Sequence, residues 1–149
     1  MSEKQAFIMM IQPKWWNEFR NRCIEGKTVH SYVHRGLAGP KNASMIIFYA
    51  AKPIGKVVGY AEFVERKIGA PKELWEMHGD ESVLRSRESF ESFVKGKSKI
   101  AFVRMRSLHE AANPIELNTL LSFLGKKRLG RGGFFVNSET ASKLIALMG

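Results

Sequence analysis

The sequence predicts an α+β fold, and three observations carry that prediction. Two apolar runs of strand length, AFIMMI (6–11) and SMIIFYAA (44–51), read as strands, the first of them buried on both faces. Other segments open on proline or a small polar cap and close on glycine, as helices do. The two kinds of segment alternate irregularly, without repeats, low-complexity tracts or linkers, so 1–149 is expected to form a single domain.

Taken in order, AFIMMI is the first strand. PKWWNEFRNRCIEG follows as a helix, with Pro13 in its first turn and Gly26 just past its end. Trp16, Phe19 and Cys23 make its inward stripe, and Arg20 and Arg22 fall largely off it. Thr28 to Arg35 alternates as a strand, and GLAGPKNAS is a loop. SMIIFYAA, the KPIGK turn and VVGYAEFVE (57–65) form a hairpin. Two short helices are expected in APKELWEMHG (70–79) and SRESFESFVKG (86–96), the second capped by Ser86. SKIAFVRMRS (98–107) alternates as a strand. NPIELNTLLSFLG (113–125) carries helix signals, with Asn113 as cap, Pro114 next and Gly125 at the end. FFVN (134–137) is a short strand, and Ser138 is expected to cap a last helix with Ala141, Leu144, Ile145 and Met148 inward.

The chain carries 24 Lys and Arg against 14 Asp and Glu, a net charge of +10. Net charge is +6 over 1–70, zero over 71–125 and +4 over 126–149. A fold that brought the two basic ends together would present one cationic face to a polyanion; the alternative is a surplus that keeps the protein soluble. No apolar run reaches the roughly 20 residues of a membrane span, and AFIMMI is too short for a signal segment, so a cytoplasmic protein is expected. With one cysteine, Cys23, no internal disulfide forms. His30 and His34 sit about 13 Å apart on a strand, too far for one ion. Asp80 is the only aspartate. Neither metal nor other cofactor is expected.

The stretches IQPKWWNEFRNRCIEGKTV (11–29), IIFYAAKPIGKVVGYAEFVE (46–65) and PKELW through SFESFVKGKSKIAFVRM (71–105) resemble the PUA-like superfamily. The likeness is greatest to its ASCH members and an uncharacterised archaeal family close to them. The resemblance implies a small, partly closed mixed β-barrel with helices around a cleft. Many members bind RNA or modified nucleosides, and a few ASCH proteins are hydrolases. ASCH proteins follow the first helix with Gly-x-Lys-Thr, then an acid and an arginine in the next strand. Here Gly26, Lys27 and Thr28 are consecutive, His30 stands where the acid is expected, and the nearest arginine is Arg35.

At a helix-to-strand junction, Lys27 and Thr28 can hold a phosphate or a base carbonyl; otherwise they are a solvated lysine and a strand-starting threonine. Arg104 and Arg106, two apart on a strand, share a face and suit phosphate contact or base stacking. Lys126, Lys127, Arg128 and Arg131 crowd a glycine-rich loop after a helix, where the helix dipole already favours cations. Arg131 among Gly130, Gly132 and Gly133 exceeds that explanation and suits a phosphate clamp.

The leading expectation is an RNA-binding module for tRNA, rRNA or a modified nucleoside. It would use Lys27, Thr28, Arg35, Arg104, Arg106, Lys126, Lys127, Arg128 and Arg131 on the backbone. A ring such as Tyr32, Trp75 or Phe134 would receive an unstacked base. The alternative is a small nucleoside-directed amidohydrolase of the ASCH type, for which the resemblance implies Lys27, with Thr28 or Ser31, and Glu62. A third reading is a protein-interaction module whose basic face docks on an acidic partner or anionic lipid.

Overall fold

The computed structural model of the chain describes residues 5–37, 39–130 and 132–149. Six strands, β1 (Ala6–Ile11), β2 (Val29–His34), β3 (Met45–Ala50), β4 (Lys56–Gly69), β5 (Ile100–Glu116) and β6 (Phe134–Val136), form one sheet in the order β2-β5-β4-β3-β1-β6. All neighbours are antiparallel except β1 and β3, which are parallel and joined through α1 (Pro13–Ile24) and β2. Four further helices are α2 (Pro71–His78), α3 (Arg87–Phe93), α4 (Leu117–Leu124) and α5 (Ser138–Met148).

The two apolar runs behave as their composition demands. Phe7, Met9 and Ile11 face α1, where Trp16 and Phe19 close a core with Phe48 and Ile46. The alternate residues, Ala6 and Ile8, face α4 and α5 with Ile47, Leu120, Leu144 and Met148. One strand thus feeds two cores, which only an unbroken apolar run can do. A third cluster packs Leu74 of α2 and Phe90 of α3 on Val33, Ile100 and Phe102. Gly59 lies where Trp16 crosses β4: a Cβ there would stand 2.7 Å from the indole Cη2, so no side chain fits. No helix among the described residues is long and apolar enough to cross a membrane.

Three expectations change. The barrel does not close: β2 and β6 are the edges of an open sheet. β6 has only three residues, and the outer edge of β2 is occupied by a parallel bridge from Ser31 to Ser82. The helix expected to be capped by Asn113 begins three residues later, with Glu116 as its cap, because β5 runs on through 113–116. Ile115 there pairs with Val57 and is buried in the core, and this burial overrides the local cap signal. Pro114 sits in a break of the β4–β5 register, where its missing N–H is tolerated. The last helix is capped by Asn137, whose Oδ1 accepts the Thr140 N–H at 2.8 Å, one residue before the expected Ser138.

Candidate functional site

The helix-to-strand turn after α1 is set by its backbone. Gly26 adopts φ 88°, and the Lys27 N–H returns to the Arg22 carbonyl at 2.9 Å. That closure leaves Lys27 and Thr28 exposed at the head of β2, where they line two adjoining clefts. One, of about 420 Å³, is shared with Cys23, His30, Arg106 and Ser107. The other, of about 290 Å³, is shared with Arg22, Asp80 and Glu81.

Beneath the turn, Arg22 corrects the helical-wheel expectation. It is buried at 4% exposure, and Cys23 is exposed instead. The guanidinium donates to His30 Nδ1 at 3.0 Å, to the Val29 carbonyl at 2.9 Å and to the Ser82 carbonyl at 3.5 Å. It therefore ties α1, β2 and the segment after α2 together. Because Arg22 can only donate, Nδ1 of His30 accepts and the proton of the neutral ring is on Nε2, 3.5 Å from Cys23 Sγ. Burial, with the Arg22 charge beside it, lowers the His30 pKa from 6.5 to about 4.

Next to this anchor, Glu81 gathers a second network. It accepts Nε–H and an Nη2 hydrogen of Arg104, both at 2.9 Å, and the Ser31 hydroxyl at 3.0 Å. Arg104 also donates to Glu65. Burial pushes the Glu81 carboxyl up, but the bonds from Arg104 and Ser31 and the Arg104 charge outweigh it and hold the carboxyl below its usual range. Arg104 thus faces two carboxylates and is committed to joining β4, β5 and the turn after α2.

Arg106 is exposed and donates to one oxygen of Glu62, across the β4–β5 ladder, at 2.9 Å. That hydrogen bond holds the Glu62 carboxyl below its usual range. The ladder then breaks register. Glu62 pairs with Arg106, whereas Tyr60, two residues back, pairs with His109, three residues on. The extra residue on β5 is a bulge, and Ser107 within it has φ 56°, an uncommon value for a residue other than glycine. On a regular strand, residues three apart point to opposite faces. The bulge restores parity, so Arg106 and His109 join Tyr60 and Glu62 on one face. The His109 and Tyr60 rings stack with centroids 4.8 Å apart and planes at 18°. With Ser44, Met45, Glu62 and Ser107 they line a hollow of about 210 Å³ that shares Ser107 with the larger Lys27 cleft.

The structure therefore brings Lys27, Thr28 and Arg106 to one cleft and Glu62 to the hollow beside it. Ser31 is fully buried and bonded to Glu81, away from solvent. Arg35 lies 5.9 Å from the Phe93 ring, on the α3 side. Lys126 sits 3.8 Å over Phe134. It leads with Lys127 and Arg128 into β6, whereas Lys27 and Thr28 lead into β2, the opposite edge of the sheet. None of those three loop cations lines the Lys27 clefts. Arg131 lies outside the described residues. Of the rings expected to receive a base, Tyr32 packs partly buried on Phe19, Trp75 stacks on Phe90 at 4.8 Å, and Phe134 lies under Lys126. Sequence reasoning missed Arg22, Tyr60, Ser107 and His109. Only an odd number of residues inserted in a ladder could have revealed the last three, and a single strand does not display its register.

No protein-family model matches the chain. It is 25% identical over 144 residues, 97% of its length, to an ASCH domain-containing ribonuclease of Zymomonas mobilis, of which the match covers 92%. The crystal structure of ASCH from Zymomonas mobilis superposes with a TM-score of 0.74 at 23% identity, over 97% of this chain and 96% of the other. The N-terminal domain of Staphylothermus marinus McrB superposes with a TM-score of 0.51 at 12% identity, over 97% and 94%.

Proposed function

We propose that this chain, an ASCH-related protein with the fold shared by the PUA-like superfamily, binds RNA in the groove formed at Lys27, Thr28 and Arg106. The observation that carries the reading is the convergence of an exposed ammonium, a hydroxyl and an exposed guanidinium on one concave surface. Such donors fit phosphate oxygens and leave bases free to be read elsewhere. The relative named as a ribonuclease supports RNA as the polyanion. Arg104 is left out of the contact set because two carboxylates hold it. tRNA, rRNA and a modified nucleoside remain the candidate ligands, with the cytoplasm as compartment.

The same relative supports a second reading, in which the groove also hydrolyses what it binds. Lys27 and Thr28 line the cleft and Glu62 the hollow, so three of the residues expected for the hydrolytic alternative lie in two recesses that share Ser107. Ser31, committed to Glu81, is not among them.

A binding titration with labelled single-stranded RNA separates the readings. Binding without product supports the RNA-binding module, and product formation abolished by Lys27→Ala supports hydrolysis. No binding to tRNA or rRNA fragments at low salt removes both.

A further inference from the structure

We infer that the Tyr60–His109 stack is a subsite for one unpaired base of single-stranded RNA; the inference rests on the RNA-binding reading. Four observations carry it. The first is the ring pair itself. Tyr60 is half-buried and packs on the core that includes Ile47, whereas His109 is exposed and rests on it, so the imidazole is backed by a ring held in place from below. A ring supported in this way presents a flat surface with little side-chain freedom left to lose on binding.

The second is the division of charge. Lysine and arginine side chains line the larger cleft, through Lys27 and Arg106; among the described residues none lines the hollow at Tyr60, where the one charged residue is Glu62. The cations draw a phosphate to the first, whereas the Glu62 carboxylate in the second, already paired with Arg106, offers it no donor. An uncharged base suits the hollow, with Met45 and Ala61 as its apolar walls. The third is continuity. Ser107 belongs to both recesses, so a phosphate at Arg106 and a base at His109 are adjacent along one chain.

The fourth is the backbone. The bulge that turns His109 onto the face of Glu62 holds Ser107 at a positive φ that its side chain disfavours. Bulges are over-represented where a strand re-aims a side chain beside a functional site. The other rings considered for this role are engaged elsewhere: Trp75 packs on Phe90 and against Gly79, and Phe134 lies beneath Lys126.

The test uses the full chain and a fluorescein-labelled single-stranded oligoribonucleotide read by anisotropy, with His109→Ala and His109→Phe beside the unaltered protein. His109→Ala is expected to weaken binding about tenfold and His109→Phe to restore it to within about twofold, because any aromatic ring supplies the stacking surface. A duplex of equal charge should bind all three proteins alike. Single-strand binding that His109→Ala leaves unchanged, or that His109→Phe fails to restore, overturns the subsite while the RNA-binding reading stands. Absence of binding by the unaltered protein overturns both.

Discussion

Arg22 donates its Nε–H to Nδ1 of His30 at 3.0 Å, and both residues are buried, at 4% and 1% exposure. The pair is the foundation on which the Lys27–Thr28 turn stands, because Arg22 also accepts the Lys27 N–H on its main-chain carbonyl. Arg22→Ala removes the guanidinium that donates to His30 Nδ1 and to the Val29 and Ser82 carbonyls, and is expected to lower stability by about 3 kcal/mol in denaturant unfolding. In the folded variant the His30 pKa, followed by NMR, should rise from about 4, since a neighbouring positive charge has gone.

His30 and His34 share a second consequence. Burial, then the charge of Arg22 or Arg66, lowers each from 6.5 to about 4. Both are neutral in the folded chain at pH 7, while the unfolded chain takes up protons below about pH 6.5. Stability present at neutral pH is therefore lost as pH falls from about 6.5 towards 4. Thermal melts across that window should show the midpoint dropping, and His34→Phe should flatten the drop.

His34 adds a prediction of its own at neutral pH. Its Nε2 is buried with no hydrogen-bond partner among the described residues, and its ring packs edge-on against Tyr32 at 5.0 Å. Phenylalanine keeps the ring contact and removes the unpaired nitrogen. His34→Phe is expected to stabilise by about 1 kcal/mol, and a loss of stability in denaturant unfolding would contradict this.

Glu81 holds Arg104 by two hydrogen bonds and Ser31 by a third. Glu81→Ala should destabilise by about 3 kcal/mol, since a half-buried guanidinium loses the carboxylate that takes both its Nε–H and an Nη2 hydrogen. Arg106→Ala, which breaks an exposed pair, should change stability by less than about 1 kcal/mol. Calorimetry on the two variants separates the structural arginine from the one available to a ligand.

Phosphate contact has a signature in salt. Lys27→Ala should weaken single-stranded RNA binding and reduce the slope of log affinity against log salt by about 0.7, with no change in base preference. An unchanged slope would remove Lys27 from the phosphate contacts.

The parts of this fold governed by local pattern were legible in the sequence. AFIMMI, Pro13 at the first turn of α1 and the Ser86 cap appear where composition puts them. Pattern failed where long-range burial decided. Ile115 draws 113–116 into β5 against helix-favouring neighbours, and Arg22 enters the core because three acceptors await it there. Half of the groove was visible in the sequence, Lys27 and Thr28 as polar groups at a helix-to-strand junction and Arg106 as a cation on a strand face. The Tyr60–His109 half depends on a bulge, which is a property of two strands in register and not of either strand alone.

The proposed RNA site is the Lys27–Arg106 groove and not the glycine-rich loop that leads into β6 at the opposite edge of the sheet. Photocrosslinking of 4-thiouridine RNA to the full chain, followed by peptide mass spectrometry, distinguishes the two places. Crosslinks on the segments 26–32 and 104–110 are expected, and crosslinks confined to 125–136 would place the RNA at the other edge and overturn the proposed site.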